Sequence, residues 1–245
     1  MSTLSVKTTS KNTPVKDKTA PTKGIVFYTD NQLKVRIAHQ VQKQLRHISH
    51  DTGIPIVNVS LKPMGHFGTK NIHLPLERGY LTMFKQILAG LEASDAEVIF
   101  LCEHDVLYHS SHFDFTPPQK GKFYYNRNFW KLRVEDGHAL HYDADQVNGL
   151  CTYRKLLIAE YEKRVRYVKK HGYIRSMGFE PGTHDKGSAF WKSALPNIDI
   201  RHTGNLTKNR WSIDEFRNKK SATNWMETDD EIEGWGKTAD LIKNF

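Results

Sequence analysis

Glu97-Val98-Ile99-Phe100-Leu101-Cys102, followed at once by Glu103-His104-Asp105, combines a continuous apolar run with an abrupt polar end. Such a run is typical of a strand that is buried on both faces of a parallel sheet. Ligands of open α/β sheets bind beyond the carboxyl ends of the strands. The sequence therefore predicts a functional site at the turn that holds Glu103 and Asp105.

Alternating strand and helix patterns precede this stretch. Residues 24–28 predict a first buried strand, and residues 54–61 predict a second. Apolar residues at helical spacing predict a helix over 33–48, and after a Gly- and Pro-rich loop over 62–76 a second helix over 80–91. This order predicts an α/β fold with right-handed crossovers.

The second half of the chain departs from that alternation. Residues 122–133 predict an aromatic strand pair or ribbon, residues 147–170 a long helix, and residues 198–201 a short late strand. The last forty residues are polar, and we expect them to wrap the domain as loops and a short helix.

Size and composition indicate one globular domain. A chain of 245 residues with a hydrophobic fraction of 38% can bury a substantial core. The first 23 residues hold five Lys and one Asp without apolar periodicity, which predicts a flexible basic tail over 1–23. We expect a catalytic domain over 24–212 and a C-terminal wrapping segment over 213–245.

The net charge of +9 would attract a polyanion such as nucleic acid, an anionic membrane surface or an acidic polysaccharide. Cys102 and Cys151 are the only cysteines, which excludes a disulfide framework and a thiolate zinc site. No stretch approaches the roughly 18 consecutive apolar residues of a membrane helix. We expect a cytoplasmic protein with no membrane contact and no implied protein partner.

Glu103 and Asp105 are candidate metal ligands. Two carboxylates one residue apart on an extended turn can face one divalent cation, Mg²⁺ or Mn²⁺, which in turn neutralises a diphosphate. The alternative is that both acids cap the following segment or pair with surface Lys or Arg. Their position after the third strand of the series favours metal or nucleotide binding.

The strand that runs into Glu103-His104-Asp105-Val106-Leu107-Tyr108 resembles the acidic metal-binding motif of GT-A glycosyltransferases, with Glu in place of the usual first Asp. Residues 124–126 and 148–150 lie where such enzymes build their acceptor side. More narrowly, residues 24–212 resemble small bacteriophage glycosyltransferases related to the enzyme that glucosylates hydroxymethyluracil in DNA to make base J. The resemblance implies a GT-A (Rossmann-like) mixed sheet flanked by helices, with a small acceptor-side subregion.

The same resemblance implies a hexosyltransferase that uses Mn²⁺ or Mg²⁺. It would move a sugar from a nucleotide-sugar, with UDP-glucose favoured, to a hydroxyl acceptor, with hydroxymethylated pyrimidine in DNA favoured. The host cytoplasm would be its location if the chain is viral. A nucleotidyltransferase on a related fold and a non-catalytic nucleic-acid-binding protein are the alternatives.

The end of the first strand holds the nucleoside in enzymes of this kind, which points to Thr29, Asp30 and Asn31. Glu103 and His104 would complete that donor site. Asp30 would accept a hydrogen bond from uracil or ribose, and His104 either reaches the metal or points away. The alternative for the Thr-Asp-Asn triplet is a turn or a helix N-cap, for which these residue types are preferred.

His202 is a further metal ligand that the resemblance implies, because the family often supplies a late histidine. It opens a loop of small and hydroxyl-bearing residues able to wrap phosphates, while nearby cations would face the diphosphate. A surface or core role is the alternative for His202. The predicted phosphate contacts are Gly204, Asn205, Thr207, Lys208 and Arg210.

Transfer with inversion needs a carboxylate base close to the acceptor hydroxyl. Asp145 and Glu180 are the candidates: the former precedes the predicted long helix, and the latter lies in the Gly- and Pro-containing loop 178–182. Each is alternatively a cap or loop acid, and a retaining reaction would need neither.

Basic and aromatic residues interleave over 120–133, a mixture found in nucleic-acid clefts. A modified base in duplex DNA would have to be flipped out to reach the donor. An ordinary half-buried strand is the alternative. The cations are Lys120, Lys122, Arg127, Lys131 and Arg133, and the rings are Phe123, Tyr124, Tyr125, Phe129 and Trp130.

Overall fold

The computed structural model describes residues 20–174, 177, 180–203, 205 and 210–245. Its helices are α1 (Val35–Thr52), α2 (Tyr80–Ala93), α3 (Arg154–His171) and α4 (Thr238–Ile242). None of the helices in these ranges is both long and apolar enough to cross a membrane. The strands are β1 (Lys23–Thr29), β2 (Ile56–Ser60), β3 (Lys70–His73), β4 (Val98–Glu103), β5 (Val106–Leu107), β6 (Phe123–Asn126), β7 (Phe129–Arg133), β8 (Ala139–His141), β9 (Leu150–Tyr153), β10 (Ser188–Trp191), β11 (Asn197–Arg201), β12 (Met226–Thr228), β13 (Glu231–Ile232) and β14 (Gly236–Lys237).

A seven-stranded mixed sheet forms the centre of the molecule, in the order β10-β6-β9-β4-β1-β2-β3. Strands β3, β2, β1 and β4 run parallel to one another, as the alternation of strands and helices predicts. Strand β9 is antiparallel to both β4 and β6, and β10 is parallel to β6. The predicted α/β class, a mixed sheet flanked by helices, is confirmed.

Both faces of the central sheet are buried. Because side chains alternate along a strand, Ile25 and Phe27 of β1 face the cluster that contains the apolar stripe of α1. Val26 and Tyr28 face the opposite cluster, which α2 and α3 supply. This burial on both sides explains the continuous apolar sequence of β1 and β4.

A second sheet, ordered β12-β8-β7-β11-β5, packs into the same core cluster as α1. Strand β5 follows the acidic turn directly and pairs antiparallel with β11. The C-terminal strand β12 extends this sheet beyond β8. The acidic turn therefore lies at the junction of the two sheets.

Three sequence-based expectations about local structure are wrong. The predicted strand pair over 122–133 does not form, since β6 belongs to the central sheet and β7 to the second sheet. The predicted helix over 147–170 begins at Arg154, because the buried residues 150–152 pair as β9 between β4 and β6. The predicted loop over 62–76 contains β3.

The predicted basic tail ends earlier than expected. Lys23 begins β1 and donates through Nζ to the carbonyl oxygens of Phe113 at 2.8 Å and Asp114 at 2.9 Å. Residues 1–19 of that tail lie outside the described residues.

The prediction that the aromatic rings of residues 120–133 bind nucleic acid is also wrong for most of these rings. Four of its five rings are between 0% and 7% exposed and belong to the core, so that no base can stack on them. Three of its cations form ion pairs with carboxylates: Arg127 with Asp145, Lys131 with Asp199, and Arg133 with Asp136. The buried rings are Phe123, Tyr124, Tyr125 and Phe129.

Helix α2 approaches β1 closely at Gly90. A Cβ atom at this position would lie 2.5 Å from Cγ1 of Val26 and 3.2 Å from Cγ2 of Val59. Real carbon atoms do not approach to such a distance, and the core around Val26 is fully buried. Glycine is thus required at Gly90 by packing, although it weakens the helix.

We expect Gly90→Ala to lower the free energy of unfolding by about 1–2 kcal/mol, because overpacking outweighs the gain of about 1 kcal/mol in helix propensity. Urea denaturation measures this change. Gly121→Ala is the control, since a Cβ at Gly121 meets no atom within 4 Å. Equal or greater stability of Gly90→Ala would contradict the close packing of α2 on β1.

Candidate active site

A cleft of about 570 Å³ opens where β1 and β4 end and where the second sheet meets the first. It lies at the carboxyl ends of the parallel strands, the position that the sequence predicts. Nine of the predicted site residues line it together: Thr29, Asp30, Glu103, His104, Asp105, Asp145, Glu180, Asn205 and Arg210. Their individual roles stay predictions.

Glu103 is held from two sides. In the register of β1 against β4 it lies beside Tyr28, whose hydroxyl donates to Glu103 Oε1 at 2.6 Å. The backbone N–H of Glu103 donates to the Tyr108 hydroxyl at 2.9 Å, and that hydroxyl donates to the carbonyl oxygen of Asn148 at 3.1 Å. Carboxylate and backbone of Glu103 are therefore both fixed.

Asp105 is connected to the segment after β11. Its Oδ2 accepts a hydrogen bond from Asn205 Nδ2 at 2.8 Å, and His202 Nε2 lies 3.8 Å from the same oxygen. Its backbone oxygen accepts from Ile200 N at 2.8 Å. These contacts join the acidic turn to the segment that follows β11.

The pKa values of the two carboxyl groups move in opposite directions. Burial, and then the negative charge of Asp105, raise the pKa of Glu103 well above the usual range of a glutamate. Burial alone would raise the pKa of Asp105 too, but His202, His104 and Arg201 outweigh it and lower that pKa. Two buried carboxyl groups so close together repel each other when both are ionised. A bound divalent cation would offset this repulsion.

The predicted metal set of Glu103, Asp105 and His202 is not formed as a group. Within residues 20–174, 177, 180–203, 205 and 210–245, no three His, Cys, Asp or Glu side chains are grouped to hold a metal ion. His202 faces Asp105 and does not line the cleft. Glu103 and Asp105 fit Mg²⁺ or Mn²⁺ by their chemistry, as hard oxygen ligands, if a bound ligand supplies further oxygens.

The end of β1 forms the neighbouring wall. Thr29 Oγ1 lies 2.7 Å from His104 Nδ1 and accepts from Asn31 N at 3.0 Å. Asp30 pairs through Oδ2 with Arg78 Nε at 2.6 Å, and its Oδ1 lies 3.5 Å from His104 Nδ1. These contacts join β1, the acidic turn and the start of α2.

Asn31 has a different position from the one predicted. It does not line the cleft, and its Oδ1 accepts from the backbone N–H groups of Leu61 at 2.9 Å and Lys62 at 2.8 Å. Its φ of 58° is a left-handed conformation that asparagine tolerates better than most residues. Asn31 thus ties the loop after β1 to the loop after β2 and does not face a ligand.

The first turn of α2 also lines the cleft, which sequence reasoning missed. Arg78, Gly79 and Tyr80 border it, and the positive end of the helix dipole lies there. Gln86, nearly two turns further along α2, donates through Nε2 to the carbonyl oxygens of Thr29 at 2.8 Å and Val59 at 3.2 Å. The sequence contains a signal for this position of α2. The loop that leads from β2 and β3 into the helix leaves the sheet at the same edge at which β1 and β4 end.

The opposite wall consists of residues 142–148, which precede β9. Two cations hold this segment, one from the loop after β6 and one from β7. Arg127 Nε lies 2.7 Å from Asp145 Oδ1, and Lys131 Nζ donates to Gln146 Oε1 at 2.6 Å. The Asp145 carboxylate therefore forms an ion pair with an adjacent guanidinium.

Glu180 lies in the same part of the cleft. Burial raises its pKa, and the negative charge of Asp145 raises it further. No ion pair joins Glu180 to a cation in the described part of the chain, whereas Asp145 has Arg127. A raised pKa makes the Glu180 carboxylate a stronger proton acceptor, as a general base requires.

Aromatic side chains close the far end of the cleft. Tyr142 stacks on Trp225 with ring centroids 5.6 Å apart, and Phe216 meets Tyr142 edge-on at 5.0 Å. The Arg210 guanidinium lies 4.7 Å above the Phe216 ring. The C-terminal segment thus contributes directly to the cleft, which its polar sequence did not indicate.

Three of the predicted phosphate contacts cannot be placed in this arrangement. Gly204, Thr207 and Lys208 lie outside the described residues. Arg201, which sequence reasoning did not single out, lines the cleft beside Asn205 and pairs with the buried Asp199 at 3.1 Å.

No protein-family model matches the chain, and no curated protein matches it either. Solved structures with a similar chain path include a glycosyltransferase involved in the glycosylation of the major capsid of PBCV-1. It is 7% identical with a TM-score of 0.46, over 73% of this chain and 92% of that chain. The galactosyltransferase LgtC, in complex with donor and acceptor sugar analogs, is 13% identical with a TM-score of 0.44, over 68% and 72%.

A mutant of Drosophila β1,4-galactosyltransferase 7, in complex with manganese, UDP-Gal and xylobiose, is 13% identical. Its TM-score is 0.41, over 80% of each chain. At such low identities and TM-scores these likenesses say nothing about activity, and the function must come from the cleft itself.

Proposed function

We propose that this protein is a metal-dependent glycosyltransferase that moves a sugar from a nucleotide-sugar to a hydroxyl acceptor. One observation carries the proposal: a single cleft brings the acidic pair Glu103 and Asp105 between a polar wall at the end of β1 and a wall that holds Glu180. The first wall suits a nucleotide, the acidic pair suits a cation on its diphosphate, and the second wall suits an acceptor with a base.

The donor half consists of Thr29, Asp30, His104 and the start of α2. Asp30 and Arg78 form an ion pair at the edge of the cleft where ribose and base would bind. The positive end of α2 stabilises phosphate. The favoured donor is a UDP-sugar, with UDP-glucose as the first candidate.

Glu103 and Asp105 would hold Mn²⁺ or Mg²⁺. When bound, this cation neutralises the negative charge that develops on the diphosphate leaving group. Arg210 is exposed at the cleft and forms no ion pair with any described residue, so its guanidinium is available to the same phosphates. Asn205 fixes Asp105 through its 2.8 Å hydrogen bond.

Glu180 is the base of an inverting transfer. Its carboxylate takes the proton from the acceptor hydroxyl while the new C–O bond forms at the anomeric carbon and the bond to the diphosphate breaks. A raised pKa increases the driving force for this proton transfer. Asp145, paired with Arg127, orients the acceptor wall.

Hydroxymethylated pyrimidine in DNA is the proposed acceptor. The net charge of +9 supports a polyanionic partner, and the half-buried Tyr142 supplies a ring at the acceptor end of the cleft. A nucleotidyltransferase would use the same acids but release pyrophosphate. A purely nucleic-acid-binding role is less well supported, because the interleaved ribbon has buried rings.

We expect UDP to bind at least tenfold more tightly with Mn²⁺ than without it, because Glu103 and Asp105 would hold a cation that offsets the negative charge of the diphosphate. Asp105→Asn should abolish that difference. Isothermal titration calorimetry of UDP and UDP-glucose measures both. The control is Asp95→Asn, since Asp95 is 93% exposed and pairs with Lys70 far from the cleft. Metal-independent binding, or no binding of any nucleotide, would overturn the donor site.

We expect Glu180→Gln to lower kcat about 10²–10⁴-fold while the affinity for UDP changes less than twofold, since the base acts on the acceptor only. In the wild type, kcat/KM should fall as pH decreases through the raised pKa of Glu180. Asp145→Asn removes the neighbouring negative charge and should move this acid limb to lower pH. An unchanged acid limb in both variants would exclude Glu180 as the base.

We expect radiolabelled glucose from UDP-glucose to be transferred to DNA that contains hydroxymethylated pyrimidine and not to unmodified DNA of the same sequence. The hydroxymethyl group is the nucleophile, and only the modified DNA offers it. Release of UDP rather than pyrophosphate separates this reaction from nucleotidyl transfer. Transfer to simple glycosides but not to modified DNA would support glycosyl transfer as the reaction and contradict DNA as the acceptor.

A further inference from the structure

We propose that the outward face of α3 binds the phosphate backbone of duplex DNA and holds that polymer beside the cleft. This outward face consists of Lys163, Arg166, Tyr167 and Lys170, whose spacing along the chain places them on one side of the helix. The inference rests on the proposed function in one respect, the DNA acceptor. It goes beyond that function because it assigns a binding surface outside the cleft.

The C-terminal half of α3 is strongly basic. Residues 163–174 contain five Lys or Arg and no acidic residue. Three of these cations, Lys163, Arg166 and Lys170, are exposed. Within the part of the chain that the structure describes, no carboxylate pairs with Lys163 or Lys170. Arg166 reaches Glu162 at 3.4 Å, but both side chains are exposed, and such a pair is weak.

The helix dipole explains only part of this charge. Cations in the last turn of a helix offset its negative end, which accounts for Lys170 and its neighbours. That effect falls off within one turn, and Lys163 and Arg166 lie before the last turn. Arg166 and Lys170 are four residues apart, a spacing at which like charges destabilise a helix. A bound polyanion would offset this repulsion.

The outward face suits nucleic acid better than an anionic membrane. A helix that binds a membrane surface inserts an apolar face, but the apolar residues of α3, such as Leu157 and Val165, are buried in the core. The outward face has instead one exposed ring, Tyr167, among its cations. Rings among cations are typical of surfaces that follow a nucleic-acid backbone. Over the roughly 10 Å from Lys163 to Lys170, one DNA strand carries about three phosphates.

The end of α3 lies next to the cleft. Strand β9 is antiparallel to β4 and ends beside Val98, where β4 begins, so that α3 returns toward the edge at which β4 ends. Just beyond α3, Tyr173 stacks on Tyr80 with ring centroids 3.9 Å apart, and Tyr80 lines the cleft. A duplex bound along α3 would therefore pass the mouth of the cleft, which a flipped base could enter.

The test measures binding of fluorescently labelled, unmodified duplex DNA to the full-length chain by anisotropy at several salt concentrations. Unmodified DNA reports backbone contacts without sugar transfer. The variant Lys163→Gln/Arg166→Gln/Lys170→Gln removes three positive charges, and glutamine preserves helix propensity. We expect its Kd for DNA to rise about tenfold or more, and the slope of log K against log salt concentration to become shallower by about 2–3.

The variant Arg36→Gln/Lys43→Gln/Arg46→Gln is the matched control. These three residues are exposed on α1, which packs on the opposite face of the central sheet. The control loses the same net charge as the α3 variant, so it separates a defined surface from the general effect of charge. Its salt slope should equal that of the wild type. Both variants should bind UDP as the wild type does, since neither change touches the cleft.

An equal loss of DNA affinity in both variants, or no loss in the α3 variant, would overturn this inference and leave the proposed transfer reaction intact. Binding of phosphatidylserine vesicles but not of DNA by the wild type would also overturn it, because the occupant would then be a membrane. Wild-type protein that binds DNA through α3 but binds no nucleotide would support this inference and contradict the proposed function.

Discussion

The parallel pairing of β1 with β4 is the constraint on which the cleft depends. It places Tyr28 beside Glu103, so that the residues after both strands, Thr29 and His104, meet at one edge. Burial of both faces of both strands stabilises this pairing. Gln86 of α2 also fixes the end of β1, because it donates a hydrogen bond to the carbonyl oxygen of Thr29. A shift of register by one residue would turn Glu103 toward the opposite face of the sheet.

The first half of the fold could be predicted from sequence because its signals are local. Helical spacing and continuous apolar strands placed β1, α1, β2, α2 and β4 close to their observed positions. The position of the acidic turn followed from the rule for open sheets. Five of the nine predicted residues in the cleft share it for that reason, since each directly follows a predicted strand: Thr29, Asp30, Glu103, His104 and Asp105.

The second half depends on pairing between distant segments, which local patterns do not reveal. The sequence from Leu150 to Thr152 is compatible with either a helix or a strand. It forms β9 because it pairs antiparallel with both β4 and β6, between which it lies. That reversal brings residues 142–148, which precede β9, to the carboxyl end of β4. Asn31 was misplaced for a related reason: its partners are the backbone groups of Leu61 and Lys62, thirty residues away.

The buried Tyr108 hydroxyl joins the backbone of Glu103 to the backbone of Asn148. The two walls of the cleft are therefore connected through one fully buried oxygen atom, and moving either backbone away from the other would break a hydrogen bond inside the core. Tyr108 does not itself line the cleft. The spacing of the two walls thus depends on a side chain that a bound molecule would never touch.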